Sequence, residues 1–158
     1  MASAHLIDIG PLLAGGQESL HVEQQIALEP FEGITFPTPA LVRFDVTRID
    51  RVLGIAGDVD VEAHGECNRC LADVAMPMHV AVEEQLEASA AAKDDPFSES
   101  NVLTGDRLDV ADLTKQVVCS TVPLRVLCRE ECRGLCRVCG QNNNTGDCSC
   151  TGDSSGQP

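Results

Sequence analysis

The sequence predicts an α+β fold in which an antiparallel β-meander forms the core, with one or two helices and a small C-terminal zinc-binding module. Two observations lead to this prediction. Apolar and polar residues alternate over three consecutive stretches in the middle of the chain, and six of the nine cysteines fall between Cys128 and Cys150. Strict alternation sends successive side chains to opposite faces of a strand, which is typical of a sheet with one buried face.

The N-terminal part predicts one short strand and little else. Residues 5–9 (His5-Leu6-Ile7-Asp8-Ile9) are predicted to form a short strand, which Gly10 and Pro11 end. Residues 17–29 are polar with weak periodicity, and residues 30–39 begin and end with proline, so both stretches are predicted to lack regular structure.

The three alternating stretches cover residues 42–47, 55–63 and 74–82. Short connections between them predict neighbouring antiparallel strands. Pro77 has no N–H to donate, which predicts an edge position or a bulge for the third strand. The polar face of the second strand carries the carboxylates of Asp58, Asp60 and Glu62. These are interpreted as a solvated acidic face rather than a catalytic group.

A helix is predicted after a break in composition. Residues 88–106 are rich in alanine and then in acidic residues, which indicates an acidic linker. Asp109 then stands at a helix N-cap position, and Pro123 ends the helix. The predicted organisation is an antiparallel β/α domain over residues 1–123, a cysteine-rich zinc module over 124–150, and a disordered tail over 151–158.

The composition excludes several classes of protein. The 158 residues carry a formal charge of −14 and only 3% aromatic side chains, which argues against an aromatic platform for stacking bases. The first ten residues do not resemble a signal peptide, and no stretch is long and apolar enough for a membrane helix, so a cytoplasmic protein is expected. Phosphate-loop, dinucleotide-binding and common hydrolase motifs are absent from the sequence, and no enzyme is predicted.

The C-terminal cysteines predict an all-thiolate metal site. Cys136 and Cys139 form a C-x2-C knuckle followed by glycine, and Cys148 and Cys150 follow a polar loop that is long enough to fold back. Four thiolates close a tetrahedral zinc site without an open position, which indicates a structural metal. Cys128 and Cys132 are further donors that either replace the last pair or serve a second ion. A disulfide cluster and free thiols are the alternatives.

The second cysteine pair, Cys67 and Cys70, lies between two predicted strands. Three interpretations remain open: half of a shared metal site, a turn of reduced thiols, or a redox pair. His64 is a candidate additional ligand. Cys119, on the predicted helix, is expected to be a small buried apolar residue.

Basic residues in the acidic chain concentrate around the cysteines. The candidates for contact with RNA or a partner are Arg69, Arg125, Arg129, Arg133 and Arg137. Local charge balance around thiolates is the alternative explanation.

Two blocks of sequence resemble the bacterial YceD family, also called the large-ribosomal-RNA-subunit accumulation proteins. The first runs from Gly57 to Leu71 and includes Cys67-Asn68-Arg69-Cys70, followed by Val82-Glu83-Glu84. The second runs from Leu124 to Asn142 and has the pattern C-x3-C-x-G-L-C-x2-C-G. The resemblance covers residues 40–150.

The resemblance implies a non-enzymatic role in the accumulation of 23S ribosomal RNA during large-subunit biogenesis. The expected partner is a ribosomal protein or a 23S rRNA precursor. It also implies that Cys67 and Cys70 act independently of the C-terminal cysteines, because family members with only the first pair occur. A thiol-based redox regulator or a zinc-responsive regulator is the alternative function.

Overall fold

A four-stranded antiparallel sheet dominates the computed structural model, which describes residues 5–87 and 102–150. Its strands are β2 (Ser19–Ile26), β3 (Ala40–Ile49), β4 (Val52–Glu66) and β5 (Asp73–Glu87). They lie side by side in chain order, and each neighbouring pair is antiparallel. The predicted α+β class with a meander core is therefore confirmed.

The smaller sheet joins the N-terminus to the segment before the long helix. Its strands are β1 (Leu6–Asp8), β6 (Leu103–Thr104) and β7 (Arg107–Asp109), in the spatial order β1-β7-β6. The strand predicted at residues 5–9 is thus present. Most of the predicted acidic linker, residues 88–101, lies outside the described residues, but its predicted end at residue 106 is wrong. Val102 and Leu103 are buried, because their apolar side chains complete the core.

The core lies on one face of the larger sheet. Val42, Phe44 and Val46 point inward from β3 and are completely buried, and the inward side chains of β4 pack beside them. The same core includes Leu12 from helix α1 (Gly10–Leu13), and it includes Val110, Leu113 and Val118 from helix α2 (Val110–Thr121). Full burial of each such side chain contributes about 1.5–3 kcal/mol. Aliphatic residues therefore build a continuous core although the chain has few aromatic ones.

Strand β2 corrects the prediction that residues 17–29 lack regular structure. Leu20, Val22 and Ile26 face inward, but the fourth inward position is Gln24, which hides the alternation in the sequence. The Gln24 side chain is partly buried and hydrogen-bonds His5 through Oε1 and Nδ1, 3.0 Å apart. A polar residue with a partner thus occupies a position that an apolar residue would normally take.

Helix α1 was not predicted, because Gly10 and Pro11 were interpreted only as residues that end a strand. Pro11 instead stands in the first turn of a one-turn helix, where its missing N–H leaves no hydrogen bond unmade. Pro77 lies on β5, which is an edge strand, as predicted. Neither helix in the described part of the chain is long enough to cross a membrane.

Helix α2 begins at the predicted N-cap. The Asp109 carboxylate accepts a hydrogen bond from the Asp112 N–H at 3.0 Å. We expect Asp109→Ala to lower the free energy of unfolding by about 1 kcal/mol, because one N–H of the first helical turn loses its acceptor. Asp109→Asn retains an acceptor and should change it by only a few tenths of a kcal/mol. Chemical denaturation of both variants would test this, and equal losses would contradict it.

Candidate metal centres

The β4–β5 hairpin ends in a tight turn that carries Cys67 and Cys70. The N–H of Cys67 donates to the Ala72 carbonyl at 2.8 Å, and the N–H of Leu71 donates to the Cys67 carbonyl at 2.9 Å. Leu71 has a φ of 60°, in the left-handed region that an L-residue adopts at a cost of about 1–2 kcal/mol. This conformation closes the turn and brings both thiols to the end of the long hairpin.

The segment after α2 packs against this turn. The N–H of Asn68 donates to the Val126 carbonyl at 2.8 Å, and the N–H of Val126 donates to the Asn68 side-chain oxygen at 3.0 Å. The Val126 side chain is buried with Ile34 and Ala63. This paired contact places Cys128 and Cys132 opposite the turn.

The result is a four-cysteine cluster, the shared tetrad, made of Cys67, Cys70, Cys128 and Cys132. The Sγ atoms of Cys67 and Cys132 are 3.7 Å apart, and those of Cys70 and Cys128 are 3.6 Å apart. Four thiolates around a tetrahedral zinc at about 2.3 Å have sulfur–sulfur distances of about 3.8 Å. A disulfide needs about 2.05 Å, so these distances fit ligands of one ion and not covalent bonds.

The thiols of the shared tetrad differ in acidity. Burial would raise the pKa of Cys67, but backbone N–H groups of Cys128, Arg69 and Cys70 point at the sulfur and lower the pKa to about 6. Burial and the neighbouring thiols raise the pKa of Cys128 to about 12. The thiolate form is therefore favoured at Cys67 and disfavoured at Cys128, and binding of a metal cation would favour loss of the Cys128 proton.

The second cluster, the C-terminal tetrad, consists of Cys136, Cys139, Cys148 and Cys150. Their ligand atoms lie within 4.8 Å of one another. The N–H of Val138 donates to the Cys136 sulfur at 3.4 Å, and the N–H of Gly140 donates to the Cys136 carbonyl at 2.9 Å, as expected for a C-x2-C-G knuckle. Hydrogen bonds from the backbone of Cys139 and Val138 lower the pKa of Cys136 to about 6.

Both tetrads are positioned for metal binding, and they divide the cysteines in one of the ways that the sequence left open. Cys128 and Cys132 belong to the shared tetrad, and they do not replace Cys148 and Cys150 in the C-terminal tetrad. The expectation that Cys67 acts apart from the C-terminal cysteines is not what the structure shows, because folding of the C-terminal segment onto the hairpin brings the two pairs together. His64 takes no part in either tetrad, since its Nε2 atom contacts the Glu62 carboxylate at 2.6 Å. Cys119 lies outside both clusters and is only half buried.

Asn144 is a residue of the site that sequence reasoning did not identify. Its amide NH2 donates to the Cys132 sulfur at 3.3 Å, which lowers the pKa of that thiol. Its carbonyl oxygen accepts from the backbone N–H of Arg133 and from the Arg129 guanidinium, both at 2.8 Å. The polar loop 141–147 therefore supports the shared tetrad as well as connecting the two halves of the C-terminal tetrad.

The structure gives three of the five candidate arginines a role inside the protein. The Arg69 guanidinium donates to the carbonyls of Glu130 and Cys132 at 3.2 and 3.0 Å. Arg129 binds Asn144 and Arg133 forms an ion pair with Asp147 at 2.8 Å. The remaining two, Arg125 and Arg137, are exposed side chains. Local structural support therefore accounts for most of the basic residues near the thiols.

Gly134 lets the C-terminal segment approach the turn. Its φ is +69°, and a Cβ atom there would lie 3.0 Å from the Arg69 carbonyl oxygen. That same oxygen accepts the Leu135 N–H at 3.1 Å. We expect Gly134→Ala to destabilise this docked contact by about 2 kcal/mol, since conformational strain and the close approach add.

Gly140→Ala is a matched control for this prediction. Gly140 also has a positive φ, +74°, but a Cβ atom there would meet nothing within 4 Å. Hydrogen exchange at the Leu135 amide should become at least roughly tenfold faster in Gly134→Ala and should be unchanged in Gly140→Ala. Equal acceleration in both variants would show that the close approach to the Arg69 carbonyl does not determine how often the Leu135 hydrogen bond opens.

A polar cluster lies on the solvent side of β4. Arg43 ion-pairs with Asp58 at 3.2 Å and also with Asp60, and His79 Nδ1 lies 2.6 Å from Asp60. The hydrogen bond to His79, followed by that to Arg43, lowers the pKa of Asp60, and the same contact with Asp60 raises the pKa of His79. One guanidinium thus lies between the two carboxylates and offsets part of their negative charge.

In residues 5–87 and 102–150, an antiparallel meander, one long helix and two cysteine clusters define a small α+β protein with a cysteine-rich module positioned for metal binding. The model of the family described as "Large ribosomal RNA subunit accumulation protein YceD" matches residues 55–158, which is more than half of the chain. The chain belongs to the YceD family.

Relatives with similar sequences come from mycobacteria. Uncharacterized proteins from Mycobacterium bovis and from two strains of Mycobacterium tuberculosis are 28% identical to this chain over 127 residues. The match covers 78% of this chain and 60% of each relative, so the chain spans less than two thirds of their length. No solved structure matches the chain.

Proposed function

We propose that this protein is a non-enzymatic cytoplasmic factor that promotes accumulation of 23S rRNA during biogenesis of the large ribosomal subunit. Membership of the YceD family carries the proposal, because the family description names accumulation of the large ribosomal RNA subunit. The protein would act by binding a ribosomal protein or the 23S rRNA precursor. Both tetrads have four cysteine donors and no open position, which supports a structural rather than a catalytic role for the C-terminal module.

Zinc is the metal that we propose for both tetrads. Cys67, Cys70, Cys128 and Cys132 would hold one ion, and Cys136, Cys139, Cys148 and Cys150 would hold the other. An all-thiolate donor set at tetrahedral spacing is typical of structural zinc, which has no geometric preference of its own and no redox chemistry. The first ion would fasten the C-terminal segment to the β4–β5 hairpin, and the second would order the last loop.

Charge favours a basic protein over RNA as the direct partner. The formal charge of −14 opposes approach to a polyanion, whereas it favours encounter with a basic ribosomal protein. The arginines that could contact RNA are mostly engaged within the protein, as Arg69, Arg129 and Arg133 show. Binding of a ribosomal protein before its assembly is therefore the form of the proposal that we favour.

The test is depletion of the protein in its own cell. We expect the ratio of 23S to 16S rRNA to fall and free 50S subunits to become scarcer, because an assembly step of the large subunit loses a factor. Re-expression of the wild-type chain should restore the ratio, which excludes effects on neighbouring genes. An unchanged ratio, together with unchanged ribosome profiles, would refute the proposed function.

A thiol-based or zinc-responsive regulator is the second candidate, and the exposure of the C-terminal tetrad favours it. Cys139 is exposed, and the other three thiols of this tetrad are only half buried. A peroxide could oxidise two of these thiolates to one disulfide, yielding two hydroxide ions and releasing the metal. Mild peroxide followed by metal and thiol analysis would test this, and retention of all metal and thiols would refute it.

A further inference from the structure

A groove of about 430 Å³ lies between three segments that are distant in sequence. One wall is the loop Phe31–Ile34 between β2 and β3, the second is the turn after β4, and the third is the segment that follows α2. Its lining is mixed: polar residues such as Glu32 and Asn68 lie beside apolar ones that include Val122 and Val126. The groove lies beside the shared tetrad, and Cys67 belongs to both. Because Cys67 is fully buried, its sulfur atom is not exposed in the groove.

Two large apolar side chains that line the groove are exposed to solvent. Leu71 is 59% exposed and Leu124 is 100% exposed, and both belong to its lining. Single exposed leucines are common on protein surfaces, but these two line the same groove and together offer it an apolar contact surface. Leu71 also holds a left-handed backbone conformation, so a strained turn presents one of these side chains.

The groove is fixed before any partner binds. Phe31 and Ile34 pair with each other through two backbone hydrogen bonds of 2.9 and 2.8 Å, and Thr35 pairs with His64 through two of 2.8 Å. The opposite wall is fixed by the paired contact between Asn68 and Val126. A preformed groove loses little conformational entropy when it binds an extended segment.

The charge of the groove selects the partner. Its ionisable carboxylates are Glu32 and Glu66, and no lysine or arginine of the described residues lines it. The protein as a whole is strongly acidic. Cations lie near the groove but not in its lining: Arg125 stands between Leu124 and Val126, and Lys115 is close to Cys119. The lining itself offers a partner two carboxylates, which would attract lysine or arginine side chains and oppose a phosphate backbone.

We infer that this groove binds a lysine- and arginine-rich polypeptide segment that places an aliphatic or aromatic side chain between Leu71 and Leu124. Cationic groups on either side of that apolar residue meet Glu32 and Glu66. The inference rests on the proposed function in its protein-binding form, and it identifies where a basic ribosomal protein is held.

Site-specific photo-crosslinking tests the occupant. A photoreactive phenylalanine analogue replaces Leu124 in the full-length, metal-loaded protein, and in a control it replaces Ile49, which is equally apolar and 59% exposed but lies outside the groove. Each protein is irradiated with the purified proteins of the large ribosomal subunit and, separately, with 23S rRNA. We expect a crosslink from position 124, and not from position 49, to a basic segment that contains an apolar residue. The double variant Glu32→Lys, Glu66→Lys should reduce it roughly tenfold or more.

The other outcomes overturn the inference. They are a crosslink to RNA, to a second copy of the chain or to residues 88–101 of the same chain, an equal yield from position 49, or no crosslink from position 124. Rescue of the depleted cell separates this inference from the proposed function. If depletion lowers the 23S rRNA ratio and Leu124→Asp restores it as fully as the wild-type chain does, the groove is not the site although the proposed function stands.

Discussion

If each tetrad binds one zinc ion, as we propose, replacing Cys67 with serine is expected to lower the zinc content from two ions to one and to release the segment after Pro123 from the β4–β5 hairpin. Cys67 is completely buried, and its sulfur lies 3.7 Å from that of Cys132 across the shared tetrad. A serine hydroxyl is a poor zinc ligand, and three thiolates leave the site open to water. The hydrogen bonds between Asn68 and Val126 would then hold the two segments together without the proposed ion.

The expected size of this effect follows from linkage. Zinc at about a thousand times its dissociation constant stabilises the folded state by about 4 kcal/mol, and the variant should lose most of this at the shared tetrad. Native mass spectrometry should show one zinc instead of two, and denaturation in excess zinc should show the loss of stability. Cys119→Ser is the matched control, because Cys119 belongs to neither tetrad, and it should retain two ions. Two zinc ions in Cys67→Ser would contradict the assignment.

Replacing Cys136 with serine should instead have a local effect. Cys136 stands in the C-terminal tetrad, whose members are exposed or only half buried and make no part of the main core. We expect one zinc to be lost and the loop 141–147 to become mobile, while the meander and the shared tetrad persist. Amide exchange over residues 136–150 should accelerate roughly a hundredfold, which corresponds to a local loss of about 2.7 kcal/mol.

Comparison of the two cysteine variants tests whether the two proposed ions have different roles. The ion of the shared tetrad would hold the C-terminal segment to the β4–β5 hairpin, and the ion of the C-terminal tetrad would order only the last loop. The thermal transition of the meander should change much less in Cys136→Ser than in Cys67→Ser. Cys136→Ser should still weaken the shared tetrad slightly, because Asn144 lies in the loop that becomes mobile and its amide donates to the Cys132 sulfur. Equal loss of global stability in both variants would show that the C-terminal segment unfolds as one unit with the sheet.

The strands of the meander could be predicted because their burial is one-sided. Residues of β3 and β4 alternate between the core and solvent, and the same alternation is visible in the sequence. Strand β2 was missed because Gln24 occupies an inward position, where a hydrogen bond to His5 replaces apolar burial. Helix α2 was found from its N-cap, whereas the single turn of α1 is too short for any periodicity to appear.

The sequence predicts which cysteines are candidate metal ligands, but not how they divide into two tetrads. Local spacing identifies the knuckles at Cys67 and Cys136, but the partners of the first knuckle lie 58 and 65 residues further along the chain. Only the fold shows that the segment at Val126 pairs with Asn68 and so carries Cys128 and Cys132 to the hairpin. The sequence contains one indication of this division: nine cysteines allow two clusters of four, which leave only Cys119.

The groove could not have been predicted from any stretch of sequence. Its walls come from the β2–β3 loop, the β4–β5 turn and the segment after α2, which is placed there by its contact with the turn. Leu71 and Leu124 are ordinary residues in the sequence and become informative only through their exposure on the same groove. Functional surfaces made of distant segments depend on tertiary contacts that local patterns do not encode.

The proposed metal ions divide eight cysteines into a shared tetrad and a C-terminal tetrad. Correlation spectroscopy between bound cadmium and the cysteine β-protons of the cadmium-substituted protein tests this division, because each ion reports its own ligands. We expect two cadmium resonances, one coupled to Cys67, Cys70, Cys128 and Cys132, and the other to Cys136, Cys139, Cys148 and Cys150. A resonance that couples Cys128 or Cys132 to the C-terminal tetrad, or the absence of any coupling to Cys67 and Cys70, would contradict it.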